Sequence, residues 1–190
     1  MKTTLVTAST VKIISVEAMK KHLNIDHTED DFYITSLIES SLASVENITN
    51  RKFLTQTWKA YADEWPDYFT LPFGKLQSVT SVKYTDVDGT ESTKTASEYI
   101  VDIVSDPGRI ILDDGESWPT DSLYPSNPIK IEFVCGYGGA SNVPEPIKTA
   151  VMLMTADVYQ NRGSIVVGNN MNLVQIPEYI MNFLWSYRLF

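Results

Sequence analysis

The feature that most constrains this chain is a change of hydrophobic period that happens twice. Ile34, Leu37, Ile38, Leu42, Val45 and Ile48 recur at close to 3.6 residues, which places them on one stripe of a helix. Ile147, Val151, Met154 and Val158 repeat that pattern, with Ala150 and Leu153 beside the stripe. Between them, residues 55 to 135 are rich in Thr, Val, Ile, Tyr and Trp, with turn residues roughly every eight to twelve positions, as in β-strands. Each amphipathic stripe needs a partner to cover it. The pattern therefore predicts an α+β fold: a helical bundle formed by N- and C-terminal helices with an inserted antiparallel β subdomain. The expected boundaries are residues 1–54 for the N-terminal helical part, 55–139 for the β insertion and 140–190 for the C-terminal helical part, which forms one structural unit with 1–54.

Local signals sharpen this. After a short extended leader, Ser15 is placed to cap a brief helix, Val16 to Leu23, with Glu17 in its first turn. Thr28 followed by Glu29, Asp30 and Asp31 marks the start of the second helix, with Asn50 as its C-cap and Arg51 and Lys52 as terminal cations. TQTWKAYADEW and YFTLPF read as first strands, and LQSVTSVKYTDVDGTEST as a hairpin around Asp86-Val87-Asp88-Gly89. YIVDIVSDPGRIIL reads as a second hairpin around Asp106-Pro107-Gly108, and NPIKIEFVCGYG as a buried strand. Asn142 is expected to cap the next helix, Pro144 and Pro146 suit its first turn, and Gly163 is expected to end it. A loop over 163–176 and a last helix over 176–190, opened by Pro177 and Glu178, complete the chain.

Composition excludes several functions. At 190 residues, with 43% hydrophobic and 21% charged residues, the chain fits one compact domain or one domain with a sizeable insertion. Met1-Lys2 and the broken apolar stretch after it lack the form of a signal peptide, and no run approaches the roughly 18 apolar residues of a membrane span. One cysteine, Cys135, allows neither an intrachain disulfide nor a multi-cysteine metal site, and it reads as a buried thiol. A net charge of -9 with scattered basic residues argues against wrapping nucleic acid; it does not exclude a DNA conduit, since a negative wall repels the backbone and lets it slide.

Candidate chemistry fails on spacing. His22 and His27 are misplaced for two ligands on one helical face, and the acids beside them read as helix caps. Aligning Gly89 to the glycine of a calcium loop puts Tyr84 and Thr95 where the key carboxylates belong. Gly136-Tyr137-Gly138-Gly139 lacks the third glycine of a dinucleotide fingerprint and reads as the exit of a buried strand. Asp113-Asp114 and Asp63-Glu64 read as surface groups, and no nucleophile motif is present. No catalytic, cofactor or metal residue is expected. The better lead is the aromatic C-terminus, where Trp185, Tyr187, Arg188 and Phe190 are candidate protein-interaction residues and Phe183 and Leu184 are expected to dock the last helix.

The order of segments resembles the phage head–tail connector (adaptor, or head-completion) proteins, in the longer branch with a β insertion between helices. ISVEAMKKHLNI and YITSLIESSLASVENITNRKFLTQTW are similar to the family's N-terminal helical pair. LPFGKLQSVTSVKYTDVDGT, YIVDI, PGRIIL and Trp118-Pro119 are similar to its insertion, IKIEFVCGYG and VPEPIKTAVMLMTADVYQNR to its most recognisable block, and WSYR to its ending. The loop 163–176 departs from the pattern. The resemblance implies a non-enzymatic virion protein assembled in the host bacterial cytoplasm. It would form a ring with copies of itself, about twelvefold, beneath the portal protein at the head–tail junction. There it would extend the DNA channel without sequence-specific binding and dock the next neck or tail protein, with no membrane involved. The alternatives are another neck or tail-completion protein, or a glycan- or ligand-binding β module presenting Trp58, Tyr61, Trp65 and Trp118.

Overall fold

The computed structural model describes residues 1–161 and 177–189. The fold class is α+β, with four helices and eight antiparallel strands in two sheets among those residues. They group into two compact units. One comprises Met1–Thr10, Arg51–Gly138 and Leu189; the other comprises the described residues of Val11–Asn50 and Gly139–Arg188. The reading of 1–54 as helical thus extends too far at both ends. The leader is a strand, and Arg51 onward belongs with the sheets.

In the helical unit, α1 (Val16–Leu23) is capped by Ser15, whose Oγ accepts from the Ala18 N–H at 3.1 Å, and it ends on Asn24 in the left-handed region. Helix α2 (Asp31–Thr49) ends on Asn50, with φ 54°. Its cap residue is Asp30, whose Oδ2 accepts from the Tyr159 hydroxyl at 2.5 Å. Ile34, Ile38 and Val45 are buried, while Leu37, Leu42 and Ile48 on the edges of the stripe are half-buried. Helix α3 (Glu145–Gln160) follows Pro144, not Asn142; Asn142 closes a 3-10 turn, Ala140–Asn142, and proline supplies the preset φ. Ile147, Ala150, Val151 and Met154 are buried, and Val158 is exposed. Asn161 caps the far end, its side-chain amide donating to the Asp157 carbonyl, so α3 stops before Gly163. Helix α4 (Glu178–Leu184) packs on α3 and α2, completing a bundle around Met19, Ile34, Ile38, Val45, Ile147, Val151, Ile180 and Leu184. Gly163, the loop 163–176 and the helix start at Ile176 lie outside the described residues.

The β unit holds two sheets over one core. Strands β1 (Lys2–Thr7), β2 (Gln56–Ala62), β4 (Leu76–Thr85), β5 (Glu91–Lys94) and β8 (Ile129–Cys135) form a sheet in the order β1-β2-β8-β4-β5. Strands β3 (Tyr68–Thr70), β6 (Tyr99–Asp102) and β7 (Arg109–Leu112) form a second in the order β3-β7-β6. Strand β8 shows the period of two directly: Ile129, Ile131, Phe133 and Cys135 are buried, and the residues between them are half-buried. These four, with Ala60 and Val82 of the first sheet and Phe69, Tyr99 and Ile110 of the second, make one hydrophobic core. Cys135 is a free, buried thiol.

The glycine-rich exit of β8 has a steric cause. Gly136 has φ 114°, and a Cβ there would lie 2.4 Å from the Leu54 carbonyl oxygen. The approach lets Tyr137 N–H donate to the Phe53 carbonyl and Thr55 N–H to the Gly138 carbonyl. Arg51, expected as a helix-terminal cation, instead forms a buried bidentate pair with Asp106, its Nη1 lying 3.0 and 2.9 Å from the two carboxylate oxygens.

Candidate interaction surface

Helix α4 decides what the C-terminal segment shows to solvent. Pro177 sets its start and Glu178 lies in its first turn, where the helix dipole favours an acid. Ile180 and Leu184, four residues apart, form the buried row. The same spacing puts Tyr179 and Phe183 on a neighbouring row, and both are exposed. The chain then tightens into a 3-10 turn, Trp185–Tyr187, which leaves Trp185 54% exposed. The Arg188 guanidinium carbon lies 5.8 Å from the centre of the Trp185 ring, at cation–π range.

Trp185, Tyr187 and Arg188 are therefore neighbours on one turn, whereas Phe190 lies outside the described residues. Phe183 was expected to dock the helix with Leu184. Leu184 is buried as expected, but Phe183 is only partly covered, 37% exposed, because it is rotated by about 100° off the row that Ile180 and Leu184 fill. Tyr179 was missed; its position four residues before Phe183 is the signal that identifies it. Aromatic faces beside a guanidinium are the side chains that anchor protein–protein contacts.

The other sequence candidates have structural explanations. The Asp86 carboxylate Oδ1 accepts from the backbone N–H groups of Asp88 and Thr90, at 3.0 and 2.8 Å, and so builds the β4–β5 turn. His27 Nδ1 lies 2.9 Å from a carboxylate oxygen of the exposed Glu29. Among the described residues, no group of three or more His, Cys, Asp or Glu is placed to hold a metal ion. No described helix is long and apolar enough to cross a membrane. Trp65 and Trp118 stack at 4.7 Å with Phe69 edge-on to both, and Trp58 lies against Phe73 at 4.6 Å. All three tryptophans pack on the core and are not laid out as an open platform for a sugar.

The perturbed carboxylates of the β unit also serve its architecture. Asp102 accepts from the Ser105 hydroxyl at 2.5 Å, from the Ser105 N–H at 3.0 Å and from Arg109 at 2.9 Å, which together hold its carboxyl well below the usual range. This knot ties the two ends of the β6–β7 connection. Glu91 is pushed down to about 2, first by the hydrogen bond from Lys130 and then by that from Lys83.

A sequence model described as HCP, head completion protein, matches residues 12–190. Three similar solved structures share the fold. One is from the neck of an empty GTA particle computed with C6 symmetry, at a TM-score of 0.79 and 22% identity. Another is from the virion of a native gene transfer agent (GTA) particle, at 0.76 and 21%, and a third from the neck of a native GTA particle computed with C12 symmetry, at 0.76 and 22%. Each comparison covers 99% of this chain and 95% of the other. No curated protein sequence matches.

Proposed function

Because the chain belongs to the head completion protein family, we propose that it is a structural subunit of the head–tail junction of a phage-like particle and not an enzyme. In this reading copies of the chain close into a ring beneath the portal, extend the DNA channel and present a platform to the next neck or tail protein. The helical unit and the β unit would serve as the two modules of each subunit. The observation that carries the reading is the end-to-end likeness to chains from particle necks, over 99% of this chain, together with the family match from residue 12 to the C-terminus. Two of those necks were computed with sixfold and twelvefold symmetry. A subunit repeated about an axis meets its neighbours through heterologous contacts that close when the rotation closes. The net charge of -9 suits a channel wall that does not grip the DNA backbone.

The C-terminal aromatic turn is the proposed portal-docking surface. Trp185, Tyr187 and Arg188 follow a helix fixed by Ile180 and Leu184, so they are displayed on a rigid base. The test is co-sedimentation with the portal protein of the same phage-like particle. Wild-type chain should co-sediment as a complex of many copies per portal, and Trp185→Ala should weaken it by about tenfold or more with an unchanged melting temperature. A chain that stays monomeric and never binds portal contradicts the reading.

A further inference from the structure

The outer face of the five-stranded sheet gathers lysines that are far apart in sequence. Cross-strand register aligns Lys2 with Tyr61, Tyr61 with Lys130, Lys130 with Lys83 and Lys83 with Thr93, one row across all five strands. The adjacent row aligns Thr4, Lys59, Glu132 and Ser81. Lys83 and Lys130 stand directly opposite each other, and like charges in that position destabilise a sheet. Glu91 reduces the repulsion by bridging them, with one oxygen 2.9 Å from Lys83 and the other 2.7 Å from Lys130. Lys59 lies 3.4 Å from Glu132. These side chains line a hollow of about 230 Å³ that is open to solvent.

The hollow therefore gathers Lys59, Lys83 and Lys130 against Glu91 and Glu132, with Lys2 at the β1 edge beside Asp63 and Glu64, in a chain with 15 basic and 24 acidic residues. Its centre holds one cation more than it holds acids, on an acidic protein. Each ammonium has three donors, and one carboxylate oxygen from Glu91 reaches each of Lys83 and Lys130, so donor capacity remains for an incoming acid. We propose that this lysine face is the contact through which one copy receives the exposed carboxylates of the next copy in the ring. Asp113, Asp114 and Glu116, all exposed on the β7–β8 connection, form one such acidic stretch. The proposal rests on the ring reading above, and charge complementarity selects the partner: copies of a strongly acidic chain repel one another unless a cationic patch meets an acidic one.

The test uses the full chain, alone and with the portal, at low ionic strength. Copies labelled with different nitrogen isotopes are mixed and treated with a carbodiimide, which joins contacting amines and carboxylates. The expected products link Lys59, Lys83 or Lys130 of one copy to a carboxylate of the other isotope. Lys83→Gln/Lys130→Gln should lower ring yield by about tenfold, whereas Glu91→Gln should raise it and steepen its salt dependence. A purely structural role for the ion pairs predicts instead that both variants lower thermal stability and neither changes assembly. Rings that form normally in the double variant, without such cross-links in wild type, overturn this inference and leave the ring intact. Failure to form any higher-order species with or without portal overturns the ring reading and this contact with it.

Discussion

Arg51 shows how much a single residue decides at the boundary between a helix and a sheet. The residue is 7% exposed and its guanidinium holds both oxygens of Asp106, while Lys75 adds a second cation at 3.6 Å. Gly74 makes the geometry possible, since a Cβ there would lie 2.4 Å from Arg51 Nη1 and φ is 63°. Asp106→Asn would remove the carboxylate that both hydrogen bonds from Arg51 Nη1 reach and should lower unfolding free energy by about 2 to 3 kcal/mol, read from urea denaturation. Glu91 makes a different prediction. Its carboxyl is lowered from 4.5 to about 2 in the folded chain, so its contribution is fully present above pH 4.5 and is lost as pH falls toward 2. At low salt, the stability of Glu91→Gln should therefore fall less steeply than wild type across that window, and the difference should shrink at high salt, because the group is exposed and screened.

Among the elements, the helices carry the prediction that bears on folding. Ile147 is fully buried on the face that α3 turns toward α2, beside Ala150 and Val151. Ile147→Ala should cost about 3 kcal/mol and shift the thermal midpoint down, whereas Val158→Ala, on the exposed face, should change little. The helix caps Ser15 and Asn50, the α2 stripe and both hairpins were legible in the sequence because each depends on residues within a few positions of one another. Pairing across long separations was not legible. The leader Lys2–Thr7, rich in Thr and Val, reads as extended, but nothing near it in sequence shows that it pairs with β2, more than fifty residues later. The lysine row was invisible for the same reason. The sequence shows scattered cations, and it takes four strands in register to bring Lys2, Lys59, Lys83 and Lys130 to one face. In the candidate surface, Trp185 and Arg188 could be found from composition, but which of Phe183 and Leu184 is buried depends on where α4 rotates against α3.

Taken whole, the molecule is a chain in which a β unit is inserted between two helical stretches that pack together, and that order matches neck subunits over nearly the full length of both chains. In the proposed reading, its net acidity, its displayed aromatic turn and its lysine-bearing sheet face would have separate tasks: DNA passage, portal docking and contact between copies. The most direct test is a cryo-electron microscopy map of the particle neck encoded by the same gene cluster, at a resolution that traces side chains. The expected result is a closed ring of this chain directly beneath the portal, with Trp185 against the portal. Density for the chain elsewhere in the particle, or a neck complete without it, would contradict the account.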